Sequence, residues 1–143
     1  MKITVKRTDD AFHFEGINQD GKIVHMDAAE KIGGRNQGAR PTELVLMALA
    51  GCSGIDVVNI LKKQRVQLDD FTMDVEGEQE SLTDAAKAFT FIKVTFHLKG
   101  NIEPEKAKRA IDLSIEKYCS VEKILRLSGA KITYEVFLND KSL

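Results

Sequence analysis

The chain has 143 residues, enough for one domain over 1–143 with a sizeable buried core. Apolar and charged fractions of 43% and 30% are those of an ordinary globular protein, and a net charge of −1, from 21 basic and 22 acidic residues, excludes a basic arm or patch for nucleic acid. Two cysteines, Cys52 and Cys119, exclude a four-ligand zinc framework.

Met1–Arg7 alternates apolar and polar residues and lacks the apolar core of a signal peptide, so a cytoplasmic location is expected. Thiols are kept reduced there, and a cysteine pair more often serves catalysis or sensing than a permanent crosslink. Ile3 and Val5, then Phe12 and Phe14, alternate with polar residues as strands do, and Asn18-Gln19-Asp20-Gly21 is a turn before a third strand at Lys22–Met26. Residues 29–40 are polar and glycine-rich and predict a loop. Pro41 suits the first turn of a helix and Glu43 its positive end. The helix is expected to run to about Gln64, apolar nearly all round from Leu44 to Ala50 and therefore covered on most sides. Ala48, Gly51, Cys52 and Gly54 make it slim enough for a second helix to approach. Its apolar run, Leu44–Val58, is short and interrupted by Ser53 and Asp56, so no membrane span is expected.

Phe71–Glu78 alternates as a strand with one acidic face, Ser81–Ala88 reads as a loop, and Phe89–Leu98 as a second strand. Pro104 opens an amphipathic helix whose stripe is Ala107, Ile111, Ser114, Ile115 and Tyr118; Cys119-Ser120 ends it. A short helix, Val121–Leu127, stops before Gly129, and Lys131–Leu138 alternates as a last strand. This order predicts an α+β fold, a largely antiparallel sheet around a long buried central helix. So apolar a helix needs more cover than one small domain supplies, which points to a homodimer.

The chemistry turns on the two thiols. A thiolate that attacks a peroxide becomes a sulfenic acid, and a second thiol condenses it to a disulfide. Cys52 and Cys119, on separate helices, could fill these roles if their Cα atoms lie within about 7 Å. Against this stands the ordinary behaviour of a lone cysteine in an apolar helix, which is inert packing. Asp56, one turn past Cys52, would raise its pKa, so an activating cation must come from elsewhere; Arg35 and Arg40 are nearest in sequence. Glu43 lies roughly 13 Å back along the helix and could reach a thiol only in an antiparallel partner helix. Loop arginines and a helix-start glutamate are ordinarily solvated charges, whereas Asp56 in so apolar a stretch needs a partner. Other chemistries fit worse. His13, His25 and His97 are isolated on strands without metal-ligand spacing, Gly51-Cys52-Ser53-Gly54 is no hydrolase elbow, and Gly33–Gly38 has phosphate-loop spacing but continues Ala39-Arg40.

The stretch from Arg40-Pro41-Thr42-Glu43-Leu44 through Ala50-Gly51-Cys52-Ser53-Gly54-Ile55-Asp56, with Lys117-Tyr118-Cys119-Ser120-Val121, resembles the OsmC-like family of osmotically inducible and organic hydroperoxide resistance proteins. The likeness covers most of the chain. It implies an intertwined α+β homodimer with two sites at its interface. It also implies that Cys52 attacks an organic hydroperoxide, that Cys119 resolves it as a Cys52–Cys119 disulfide, and that an external dithiol, sometimes lipoyl-bearing, restores both thiols without a bound cofactor. In the best-understood branches of the family an Arg from the N-terminal part and a Glu at the helix start hold the thiolate; Arg40, Arg35 and Glu43 are the candidates here. An ungapped alignment of helix starts puts Thr42 at the usual Glu position and Glu43 one residue on, about 100° round the helix, the pattern of a less-characterised branch. The rival reading is a non-catalytic OsmC-like dimer that binds a small ligand or senses redox state.

Overall fold

A computed structural model describes residues 1–84 and 86–143. The alternating N-terminal segment forms three short strands, β1 (Thr4–Arg7), β2 (Phe14–Ile17) and β3 (Ile23–Met26), paired antiparallel in sequence order. The turn between β2 and β3 is held by Asn18, whose side chain accepts from the Asp20 and Lys22 amides while Gly21 takes a positive φ of 74°. The glycine-rich segment is more ordered than a plain loop. It contains a 3₁₀ turn, Glu30–Ile32, and a parallel bridge from Ala39 to Met26. Gly34 is required there, because a Cβ would lie 1.8 Å from the Ala28 carbonyl oxygen.

Two compact units divide the chain, Met1–Val45 and Leu46–Leu143. Helix α1 (Pro41–Lys63) begins in the first and continues through the second. Pro41 supplies a preset φ at its start, and the Glu43 carboxylate accepts the Arg40 amide at 2.8 Å, satisfying one of the free donors of the first turn. At 23 residues it is longer than the apolar run alone, and by length and composition it is sufficient to cross a bilayer.

In the second unit, β4 (Asp70–Ser81), β5 (Lys87–Lys99), β6 (Lys131–Leu138) and β7 (Lys141–Ser142) form one sheet in that order. All neighbours are antiparallel except β5 and β6, which run parallel. A parallel pair needs a long crossover, and this one is made by α2 (Pro104–Leu113), one π-helical turn (Ser114–Tyr118) and α3 (Ser120–Leu127). The expected loop Ser81–Ala88 shrinks at both ends because β4 and β5 pair as far as Ser81 and Lys87; Ala85 lies outside the described residues. The unforeseen β7 follows a two-residue turn, Asn139-Asp140, whose φ values of 50° and 65° suit a tight hairpin.

The core lies on the inward face of this sheet. Ile92, Val94, Phe96 and Leu98 of β5 and Ile132, Val136 and Leu138 of β6 meet Leu49, Val57 and Leu61 of α1 and Ala107, Ala110 and Ile111 of α2. Phe96 stacks on Phe71 at 6.3 Å and meets the Tyr134 ring edge-on at 6.4 Å. The cover of α1 is less complete than its composition suggests. Leu49, Ser53, Gly54, Val57 and Leu61 are buried, but Met47, Ile55 and Val58 are exposed, Ile55 to 73%. In its slim middle, Met73 of β4 lies 2.6 Å from where a Cβ at Gly54 would sit, and at Gly51 there is open space.

Candidate active site

Cys52 sits in the middle of α1 and is half-buried, whereas Cys119 is 3% exposed. Both are free thiols. Cys119 owes its position to the π-helical turn. Its amide donates to the Ser114 carbonyl five residues back at 2.8 Å, and the chain then leaves the helix with an extended Cys119. This makes Cys119 the N-cap of α3, with its sulfur accepting the Glu122 amide at 3.4 Å. The Ser53 hydroxyl donates to the same sulfur at 3.3 Å, and the Ser114 hydroxyl donates to the Ser53 carbonyl at 3.1 Å. Both serines are fully buried, so these bonds join α1 to the crossover away from water.

The electrostatics of Cys119 follow from this setting. Burial pushes its thiol above the ordinary value; the Ser53 hydroxyl and the Glu122 amide pull it down by hydrogen bonding to the sulfur. The Cys52 thiol adds to the rise through a hydrogen bond and through charge. Glu122 is itself buried and pairs with Arg126, whose guanidinium also donates to the Ile132 carbonyl at 3.1 Å.

The other predicted site residues lie in the first unit. Arg35 pairs with Asp10 at 2.9 Å and Asp9 at 3.4 Å. Arg40 donates to the carbonyls of Asp27 and Gly38 and to the Asn36 side chain, and its amide is the group capped by Glu43. Arg40 and Glu43 are thus brought together, while Arg35 belongs to an acidic pair. The hub is Asp27, 2% exposed, whose carboxylate takes the amides of Ala28, Arg35 and Gln37. The Gln37 amide is the largest influence holding its carboxyl below the usual range, against burial. The loop with phosphate-like glycine spacing therefore spends its amides on an internal carboxylate. The histidines expected to be isolated are not: His13 and His25 stack at 5.1 Å and share a 2.9 Å hydrogen bond. Among the described residues no group of three ligating side chains could hold a metal ion.

Ser53, Ser114 and Glu122 join the site without having been expected there. Each left a trace: a serine inside an all-apolar run, a serine on the buried stripe of α2, and an acid three residues past a helix-starting cysteine.

Fold and site together define an α+β protein with two free thiols, one half-buried on the long helix and one buried at the start of α3. The chain belongs to the OsmC-like family: the model of the OsmC-like protein family matches residues 34–135. It is 37% identical over 126 residues to protein YhfA of Escherichia coli strain K12, covering 86% of this chain and 89% of that protein. Among solved structures it is similar to an OsmC-like protein from Mycoplasma pneumoniae, with a TM-score of 0.80 and 21% identity over 96% of this chain and 95% of that one. It is also similar to an organic hydroperoxide resistance protein from Legionella pneumophila, with a TM-score of 0.70 and 17% identity over 95% and 96% of the two chains. At these identities the structural likeness is one of fold.

Proposed function

We propose that this protein is a thiol peroxidase for organic hydroperoxides that works as a cytoplasmic homodimer. The observation that carries the reading is a half-exposed thiol, Cys52, whose neighbour in sequence, Ser53, donates a hydrogen bond to the buried thiol of Cys119. Membership of a family that includes hydroperoxide resistance proteins supports it. The Cys52 thiolate attacks the distal oxygen of the hydroperoxide; the S–O bond forms as the O–O bond breaks, and the alkoxide takes a proton and leaves as the alcohol. The Cys119 thiolate then attacks the Cys52 sulfur, a disulfide forms and water leaves. An external dithiol returns both residues to thiols. Cys52 meets the peroxide because it is the more accessible of the two. Cys119 suits the resolving role because the Ser53 hydroxyl and the Glu122 amide favour its ionised form.

In this reading Arg40 of a partner chain supplies the cation that Cys52 lacks along its own helix, Glu43 holds the Arg40 backbone in place, and Arg35, paired with Asp9 and Asp10, is the second candidate. The exposed apolar residues Met47, Ile55 and Val58 of α1, and separately Val5, Phe12 and Phe14 of the first unit, support an assembly of two copies. One observation favours the rival reading of a redox-sensing dimer without turnover: burial raises the Cys119 thiol and so slows resolution. Dithiol-coupled consumption of cumene hydroperoxide separates the two. Wild type turns over and Cys52→Ser does not; equal rates in both would sink the peroxidase reading.

A further inference from the structure

Among the described residues only two buried side-chain nitrogen or oxygen atoms lack a hydrogen-bond partner, Asp56 Oδ2 and Gln64 Oε1. Both residues line the same cavity of about 460 Å³, walled by α1 on one side and by α2 and the π-helical turn on the other. Buried polar atoms are nearly always paired, so two orphans in one cavity demand a common explanation. Both are acceptors that receive no donor from the described residues. Burial alone raises the Asp56 carboxyl, consistent with a carboxylate short of partners. Lys63 on the α1 side and Arg109 on the α2 side are exposed cations with no ion pair or side-chain hydrogen bond among the described residues. Leu113 and Tyr118 supply apolar surface.

The charges select the ligand. A simple cation would meet Lys63 and Arg109, a simple anion would meet Asp56, and a neutral polyol would leave all three charges unpaired. We propose that this cleft binds a small zwitterion of the amino-acid type, its ammonium donating to Asp56 and Gln64 and its carboxylate paired with Arg109 and Lys63. A cavity of this volume falls within the usual span for small-molecule sites, about 300–1,000 Å³. Asp56 stands one helical turn past Cys52 and Tyr118 directly precedes Cys119 in the chain, while neither cysteine lines the cleft itself.

The test is a titration of isotope-labelled Cys52→Ser protein with S-methyl-L-cysteine, followed by the amide resonances of Asn59, Gln64, Arg109 and Tyr118. No hydroperoxide is present, so the result is independent of peroxidase activity. Saturable shifts at these four positions are expected. Asp56→Asn should weaken binding at least about tenfold, as removal of one member of a buried charge pair does. Arg109→Gln, at an exposed position that cannot unfold the chain, should weaken it severalfold. Absence of saturable shifts up to tens of millimolar overturns the proposal. So does unchanged affinity in both variants, or equal binding of ethylamine, acetate or glycerol.

Discussion

The buried hydroxyl of Ser53 donates to the sulfur of Cys119 across 3.3 Å, from the residue next to the other cysteine. The bond ties α1 to the start of α3 and lowers a thiol that burial otherwise raises. Ser53→Ala should therefore have two effects. Stability should fall by about 1 kcal/mol, the net worth of one hydrogen bond. The pH dependence of Cys52–Cys119 disulfide formation should move to higher pH, because Cys119 loses the donor that favours its thiolate. Denaturant midpoints and a pH series of disulfide formation check the two separately.

Asp27 and Asp56 should leave opposite marks on stability against pH. The folded state holds Asp27 below its ordinary value of 3.8 through the amides of Gln37, Arg35 and Ala28. Its contribution is therefore present above that value and lost as pH falls through the depressed folded value. Asp27→Asn should destabilise at neutral pH, and the difference should fade in acid. The folded state raises Asp56 by burial, so its penalty is absent below the ordinary value and grows as pH rises through the raised one. Asp56→Asn should stabilise at neutral pH and match wild type in acid. Urea unfolding at neutral and acidic pH decides both signs.

Phe96 is fully buried between Phe71 and Tyr134. Phe96→Ala should cost about 3–5 kcal/mol, as loss of a core aromatic ring leaves a cavity that the sheet cannot close. Chemical denaturation measures it.

The strands and helices were legible where a period decided them. The alternation of Lys131–Leu138 gives β6 to the residue, and Pro41 and Pro104 mark the first turns of α1 and α2. The places of the two cysteines were legible, Cys52 inside α1 and Cys119 at the end of the second helical pattern. The packing of α1 was not. A composition apolar on every face does not say which face a single chain covers, and Ile55 and Met47 emerge on the open side. The π-helical turn was also hidden, because Ser114–Tyr118 continues the amphipathic stripe of α2 while its hydrogen bonds change register to place Cys119. The pairing of His13 with His25 depends on strand register, which residue types alone do not set.

The central claim is that Cys52 reacts first and Cys119 resolves it. Its most direct measurement is mass spectrometry of reduced protein given one equivalent of cumene hydroperoxide, with Cys119→Ser alongside wild type. An intramolecular Cys52–Cys119 disulfide is expected in wild type, and a trappable sulfenic acid on Cys52 in Cys119→Ser. Two unmodified thiols in wild type, or oxidation that begins at Cys119, would contradict it.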